Sequence, residues 1–234
     1  MKALFAFLLA LSCIGAAQDA KPVDMSADPH YSLLLANDKV RVFEVGLRPL
    51  EQAYVRHDHN YLTITLQDSE VVQWSEGQSA VANFRYDAGD VRFSFGGPAG
   101  GIRQDRTQGY RNVTVEFLNP KVTSYGYQAN RGVWDYGGAS IPPPVDPKAK
   151  YATRLPLGEA VVKVVQLLSG DSLPEPEAAV DCLVIAITDI DLMTADDQRL
   201  RKSKGEIVWI PADSKTALKN RAGEAVRFVV VELK

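Results

Sequence analysis

Cysteine and histidine are scarce in this chain, which limits the chemistry that it can support. The 234 residues include two cysteines, Cys13 and Cys182, and three histidines, His30, His57 and His59. Once the amino-terminal segment is removed, Cys182 has no intramolecular partner for a disulfide, so the fold must depend on its core. Cys182 adjoins an apolar run, and we interpret it as a small buried side chain rather than a reactive thiol.

Long apolar runs are also absent, apart from one at the amino terminus. Residues 3–14 are almost wholly apolar, follow Lys2 and are followed by small residues. This is the layout of a secretory signal peptide, and the run is too short for a membrane helix. We expect residues 1–17 to be cleaved, leaving a periplasmic or secreted protein without a membrane span. Cys13 leaves a lipoprotein alternative, although the residues before it match a lipidation site poorly.

The chain carries no strong excess of charge of either sign. Its formal net charge is −3, and this becomes −4 without residues 1–17, which hold Lys2 and no acidic residue. A weakly acidic chain lacks the basic surface that binds nucleic acid. We therefore expect no nucleic-acid partner.

The sequence is rich in short runs that are typical of β-strands. Apolar and polar side chains alternate in residues 61–66 and 112–117, and residues 183–187 and 226–233 are rich in β-branched residues. Turn-forming residues separate these runs, and no segment has a sustained helical period. Many short strands with regular turns predict an all-β barrel or sandwich.

An internal repeat divides the chain into two halves. At a constant offset of 116 residues, positions 89–93 align with 205–209, and several positions from 104 to 116 align with those from 220 to 232. A shared register without gaps predicts that one supersecondary unit has been duplicated. The segment between the halves is rich in glycine and holds three consecutive prolines, which cannot continue a strand ladder.

Two motifs in the first half resemble those of the cupin superfamily. Pro49-Leu50-Glu51 followed by His57-Asp58-His59 is similar to the first cupin motif, and Gly89-Asp90-Val91-Arg92-Phe93 leading to Gln104 is similar to the second. The resemblance is good over residues 29–120 and weak over residues 150–234.

With the duplication, this resemblance implies a tandem bicupin with degenerate metal-binding motifs. The expected fold is all-β, with two tandem cupin-like double-stranded β-helix (jelly-roll) barrels. The resemblance places barrel 1 at residues 29–120, a Gly/Pro-rich linker at 121–149 and a degenerate barrel 2 at 150–234.

The departures from the family pattern weaken the metal site that the resemblance implies. Thr63 stands at the position of the metal-binding glutamate, and Gly100 at that of the second-motif histidine. Two of the four expected ligands, His57 and His59, therefore remain. No histidine lies in residues 150–234, so a divalent transition metal, if one binds, is expected in barrel 1 and none in barrel 2.

The candidate site is the polar face that begins with the two histidines. If His57 and His59 lie on a strand, they share a face and two imidazoles can reach one ion. Tyr61 and Thr63 continue this face, and with Gln104 they are the candidate ligand-binding residues.

The sequence allows two orientations of this polar face, toward the interior or toward solvent. The polar side chains could line a barrel, with Leu62, Ile64 and Leu66 packing outward against a neighbouring sheet or subunit. Alternatively, the polar face could meet solvent, with the apolar face forming the core.

Three functional hypotheses follow. The first is an exported, non-catalytic protein that binds a small molecule in a barrel cavity. The second is a metal-dependent cupin enzyme, an oxygenase or isomerase, that uses His57 and His59. The third is an assembly role, in which the barrels form a homodimer through their sheet faces, as the family resemblance implies. We favour the first, because half a metal site is a poor catalyst.

Overall fold

The computed structural model describes residues 21–76, 82–97, 99–104, 107–119, 140–143, 146, 148–215 and 217–234. The predicted signal peptide and most of the predicted linker lie outside this part of the chain. Within it, the secondary structure is almost wholly β-strand, with one short 3-10 helix at Met25–Ala27. The prediction of an all-β protein is confirmed.

Eleven described strands belong to the first half of the chain and nine to the second. In the first half they are β1 Val23–Asp24, β2 Tyr31–Ala36, β3 Val40–Leu47, β4 Gln52–Arg56, β5 Tyr61–Thr65, β6 Ser69–Ser75, β7 Ala82–Tyr86, β8 Val91–Ser94, β9 Gly100–Gln104, β10 Tyr110–Phe117 and β11 Ser140–Ile141. In the second they are β12 Tyr151–Pro156, β13 Ala160–Leu167, β14 Ser172–Leu173, β15 Cys182–Ala186, β16 Ile190–Thr194, β17 Arg199–Lys202, β18 Ile207–Ile210, β19 Leu218–Asn220 and β20 Val226–Leu233.

These strands form four sheets, two in each half. We call the first-half sheets outer sheet 1, with order β1-β4-β9-β6-β7, and inner sheet 1, with order β11-β8-β5-β10-β3-β2. The second-half sheets are inner sheet 2, with order β12-β13-β20-β15-β18, and outer sheet 2, with order β14-β19-β16-β17. Among the described residues, no sheet closes on itself into a barrel.

The strand order of the first half recurs in the second. The order β8-β5-β10-β3-β2 corresponds to β18-β15-β20-β13-β12, and β4-β9-β6-β7 corresponds to β14-β19-β16-β17. The two halves therefore share a strand order. Strands β8 and β10 lie 116 residues before β18 and β20, which is the offset found in the sequence.

The turns before β8 and β18 show the same repeat in atomic detail. Gly89 and Gly205 both have positive φ, 99° and 88°, which favours glycine at these positions. The Gly89 amide donates to the Thr65 carbonyl at 2.8 Å, and the Gly205 amide donates to the Ala186 carbonyl at 2.8 Å. The positive φ that this turn requires therefore explains why both halves have a glycine at this position.

The two inner sheets pack against each other through their apolar faces. Leu62, Ile64 and Leu66 belong to one buried cluster with Leu183 and Ile185 of the second half. The same cluster includes Val113, Val115, Phe117, Val229, Val231 and Leu233. The apolar face of β5 thus packs outward against a neighbouring sheet, which confirms the first of the two predicted orientations. That sheet belongs to the same chain.

Candidate functional site

The site lies in the first half, in a cavity of about 460 Å³ between outer sheet 1 and inner sheet 1. Inner sheet 1 contributes mainly polar side chains: Tyr61, Thr63, Thr65, Arg92, Ser94, Tyr110, Asn112 and Thr114. Outer sheet 1 contributes mostly apolar and aromatic ones: Val55, Gln73, Trp74, Phe84, Tyr86 and Ile102. The volume lies within the range of small-molecule binding sites.

Strand alternation directs the polar side chains into this cavity. On β5, Tyr61, Thr63 and Thr65 line the cavity, while Leu62 and Ile64 belong to the buried cluster between the halves. A strand places successive side chains on opposite faces, so one strand supplies both a polar lining and an apolar packing face. Tyr61 and Thr63 lie on one face, as strand alternation predicts, and this face lines the cavity.

The corresponding space in the second half is filled with apolar side chains. At an offset of 116 residues, Arg92, Tyr110, Asn112 and Thr114 are replaced as follows: Val208, Val226, Phe228 and Val230. Val226, Phe228 and Val230 belong to a buried cluster of the second half, and Val208 packs against it. Corresponding positions therefore line a polar cavity in one half and belong to a buried apolar cluster in the other.

The second half also fills the space beside β15. Cys182, Val184 and Ala186 take the positions of Tyr61, Thr63 and Thr65 and belong to the same apolar cluster. Cys182 is buried, as predicted, and burial raises the pKa of its thiol to about 12. A thiol with so high a pKa is almost wholly protonated at neutral pH and is a poor nucleophile.

His57 lines the cavity and is nearly inaccessible to solvent, with 9% of its surface exposed. Its ring stacks on Tyr61, with 3.8 Å between centroids and 12° between planes. Burial lowers the pKa of His57 to about 4, and Arg41 lowers it further while Asp24 opposes the shift. His57 is therefore neutral at physiological pH. Its Nδ1 atom is buried without a hydrogen-bond partner among the described residues.

His59 does not share this position, which corrects the expected placement of the pair. Strand β4 ends at Arg56 and β5 begins at Tyr61, so both histidines lie in the connection between strands, where alternation does not apply. His59 is not among the residues that line the cavity. Gly97 donates its amide to the His57 carbonyl at 2.9 Å, so the connection is held against the turn that follows β8.

Gln104 is buried but is likewise not among the cavity-lining residues. Its side-chain amide donates to the Gln108 carbonyl, and its backbone exchanges hydrogen bonds with Leu50 and Glu51. Asn220, its counterpart, donates to the Glu224 carbonyl at 2.8 Å. In both halves, the side-chain amide at this motif position therefore donates to the backbone carbonyl four residues later.

The described donor groups do not fit the metal site that the family resemblance implies. His57 is the one imidazole at the cavity, and no carboxylate is present among the described lining residues. In the part of the chain that the structure describes, no three histidine, cysteine, aspartate or glutamate side chains come together as a metal site would require. A single imidazole does not supply the three or more protein ligands of a stable transition-metal centre.

Arg92 was not predicted as a functional residue, yet it is the strongest electrostatic feature of the cavity. Its guanidinium lies over the Tyr86 ring, with Cζ 3.9 Å from the centroid, and near Phe84 at 6.0 Å. The Arg92 Nε atom is buried and has no hydrogen-bond partner among the described residues. The sequence signal was its contrast with Val208, because the repeat aligns a charged residue with an apolar one.

The cavity phenols remain neutral hydrogen-bonding groups. Burial raises the pKa of Tyr86 to about 12, although Arg92 and a hydrogen bond to Gln73 oppose this shift. That bond runs from the Tyr86 hydroxyl to Gln73 Oε1 at 2.8 Å. Burial also raises the pKa of Tyr110 well above its usual range. At physiological pH, the described lining residues thus present hydroxyl and amide groups beside one fixed cation, Arg92.

Comparison with solved structures relates this arrangement to cupins. The chain is similar to AerE from Microcystis aeruginosa, with a TM-score of 0.64 and 11% identity, over 92% of this chain and 97% of that one. It is similar to a cupin 2 conserved barrel domain protein from Leptotrichia buccalis, with a TM-score of 0.58 and 13% identity, over 92% and 97%. It is also similar to a salicylate 1,2-dioxygenase from Pseudaminobacter salicylatoxidans, with a TM-score of 0.58 and 12% identity, over 83% of this chain and 71% of that one.

These identities support a conclusion about the fold alone. The all-β arrangement of packed sheets is a cupin fold, and the fold prediction is confirmed at that level. No family model matches the sequence, and no curated protein matches it. In the described residues, no helix is long and apolar enough to span a membrane.

Proposed function

We propose that this protein is an exported bicupin that binds a small molecule in the cavity of its first half without catalysing a reaction. Residues 1–17 are its signal peptide, the mature chain is periplasmic or secreted, and residues 121–149 link two cupin-like barrels. The second barrel serves as a solid structural partner for the first.

The observation that carries this proposal is the contrast between the two interiors. Asn112 and Thr114 line a cavity in the first half, whereas Phe228 and Val230 fill the corresponding space in the second. Polar side chains in a protein interior are costly unless they find hydrogen-bonding partners, which a bound ligand can supply. The filled second half indicates that this fold can form a stable apolar core without a cavity.

Transferring the second-half side chains into the first half tests the binding function. In Asn112→Phe, a phenylalanine taken from the corresponding position occupies space in the cavity. The reciprocal variant Phe228→Asn changes the second half and is the matched control. We would screen both variants and the wild type against one library of small molecules by saturation-transfer NMR.

We expect hits that bind the wild type and Phe228→Asn but not Asn112→Phe. The two variants should first be compared by circular dichroism, because a buried Phe228→Asn change is itself destabilising. If no library member distinguishes the wild type from Asn112→Phe, the proposed function is wrong.

A second candidate is the metal-dependent cupin enzyme, an oxygenase or isomerase using His57 and His59. The observation that favours it is the unpartnered Nδ1 of His57 at the cavity. Purified protein without chelator or affinity tag, assayed by inductively coupled plasma mass spectrometry, tests this alternative beside His57→Ala/His59→Ala. Near-stoichiometric metal that is lost in the double variant would favour the enzyme.

The proposed homodimer through sheet faces has a structural constraint. The apolar faces of both inner sheets are already buried against each other within one chain. A homodimer would therefore use other surfaces of the sheets. Analytical ultracentrifugation that finds only monomer would remove the dimer from this proposal.

A further inference from the structure

We infer that the ligand of the first-half cavity is a small carboxylate with a flat, unsaturated body, and that Arg92 binds its carboxylate. This inference rests on the proposed binding function and specifies the chemical class of the ligand. Five observations carry it: the charge of the cavity, the orientation of Arg92, its neighbours on the sheet, the facing aromatic wall and the residue at the corresponding second-half position.

The first observation is the charge of the cavity. Arg92 is a permanent cation, His57 is neutral at physiological pH, and none of the described lining residues is an aspartate or glutamate. Asp90, two residues before Arg92, interacts with it: burial raises the pKa of Asp90, while a hydrogen bond from the Asp87 amide, at 2.9 Å, and the charge of Arg92 lower it. Asp90 is not a lining residue, so within the described lining Arg92 has no carboxylate partner, and a ligand that complements this cavity carries a negative charge.

The second observation is the position of the guanidinium. A cation–π contact with Tyr86 places the guanidinium Cζ atom 3.9 Å from the ring centroid, and the Phe84 centroid lies 6.0 Å from the same atom. The edges of the guanidinium carry the N–H donors, and Nε is unpartnered among the described residues. A planar fork of this kind matches the two oxygens of a carboxylate.

The third observation is a row of hydroxyl groups beside Arg92. Arg92 pairs with Thr63 across β8 and β5, and Thr63 pairs with Thr114 across β5 and β10. All three line the cavity, and the Thr114 hydroxyl donates to Asn112 Oδ1 at 2.8 Å. These groups can bind polar substituents of a ligand whose carboxylate is bound by Arg92.

The fourth observation is the opposite wall. Outer sheet 1 presents Trp74, Phe84 and Tyr86 to the cavity, and the last two rings lie 6.0 Å apart at an interplanar angle of 18°. Aromatic side chains bind flat apolar groups by stacking and edge contacts. An inorganic anion would leave this wall without a partner, so we assign a carboxylate on a flat carbon skeleton.

The fifth observation is the counterpart of Arg92 in the repeat. The second half, whose interior is filled, has Val208 at this position, and valine packs against its apolar cluster. The cation is therefore not required by the turn or strand that the halves share. Arg92→Val is also a variant that this fold already accommodates in its other half.

Isothermal titration with benzoate tests this assignment, and benzamide is the neutral control of nearly the same shape. Wild-type protein should bind benzoate at least about tenfold more tightly than benzamide, because only benzoate pairs with the guanidinium. Arg92→Val should lose this preference. Arg85→Gln, which removes an exposed arginine of β7, should keep benzoate affinity within about twofold.

Arg92→Lys provides a second variant if Arg92→Val does not fold. It keeps the charge but loses the planar fork, so we expect benzoate affinity between those of the wild type and Arg92→Val. Equal affinities for benzoate and benzamide, or tight benzoate binding by Arg92→Val, would overturn the inference. So would inorganic phosphate that competes as well as benzoate, because the site would then bind anions without recognising a carboxylate.

The outcome for benzamide separates this inference from the proposed function. If benzamide binds as tightly as benzoate and Asn112→Phe abolishes both, the cavity binds ligands but does not select carboxylates. If the library screen finds no cavity ligand at all, the proposed function fails as well.

Discussion

Lys39 and Asp181 form an ion pair between the two halves of the chain, with 2.6 Å from Nζ to Oδ2. A second contact, from Asn60 Nδ2 to Glu159 Oε1 at 2.7 Å, is its counterpart in the repeat. Lys39 and Glu159 each precede a corresponding strand, as do Asn60 and Asp181. The two halves therefore contact each other reciprocally, as the subunits of a two-fold dimer do.

We predict a modest coupling between Lys39 and Asp181. Both side chains are partly exposed. A double-mutant cycle with Lys39→Met and Asp181→Asn should therefore give a coupling free energy of roughly 0.2–1 kcal/mol. Asp181 Oδ1 also accepts from the Ala212 amide, so asparagine is chosen because it keeps an acceptor there. Urea denaturation would measure the cycle. A coupling near zero would show that the pair does not stabilise the interface.

The shared core predicts that the two halves unfold together. Ile64 is fully buried in the cluster that spans both inner sheets, so Ile64→Ala should lower the free energy of unfolding by about 2–5 kcal/mol. Leu33→Ala, at an exposed position of β2, is the control and should change it by less than about 0.5 kcal/mol. Calorimetry should find one transition in all three proteins. Two separate transitions would contradict a single cooperative unit.

The repeat was largely predictable from the sequence, because its cause is local. The turn before β8 needs a glycine with positive φ at position 89, and the same turn recurs at Gly205. Alternation in β5 likewise predicted a polar face opposite an apolar face, but it left open whether the polar face lines the interior or meets solvent. These features depend on backbone geometry and strand parity, which a sequence records directly.

The composition of the site was less predictable. Strand parity suggested that His57 and His59 share a face, but β4 ends before them and the turn at Gly97 holds their connection. Strand ends depend on tertiary hydrogen bonds that periodicity does not encode. The importance of Arg92 could be found in the sequence only by aligning the two halves position by position, since this aligns Arg92 with Val208.

A strained residue offers a stabilising substitution. Leu50 has a φ of 69° and is 76% exposed, whereas Gly170 has the corresponding position in the second half and a φ of 83°. Leu50→Gly should therefore stabilise the protein by about 0.5–1 kcal/mol, since relief of the left-handed conformation exceeds the added unfolded-state entropy. Gly170→Ala should destabilise it by a similar amount, because a Cβ there meets open space and only φ is unfavourable. Thermal denaturation measures both changes in stability. A stabilising Leu50→Gly with a destabilising Gly170→Ala would confirm that the left-handed conformation is strained, and changes of the same sign would contradict it.

Cys182 should resist alkylation in the folded protein. Its thiol is buried and its pKa is raised to about 12, so little thiolate exists at about pH 8. In the chain that begins at Gln18, it is the single thiol, so intact mass after iodoacetamide treatment measures it directly. We expect no label under native conditions and one label in denaturant. Rapid native labelling would contradict the burial of β15.

The most direct test of the central claim is a chemical-shift titration of labelled wild-type protein with a small-molecule hit from the library screen. The two halves serve as each other's control, because they share a fold and differ in their interiors. We predict that amides of residues 61–65, 92–94 and 110–114 shift on binding, while those of residues 182–186, 208–210 and 226–230 do not. Shifts confined to the second half, or spread equally over both, would contradict a binding cavity in the first.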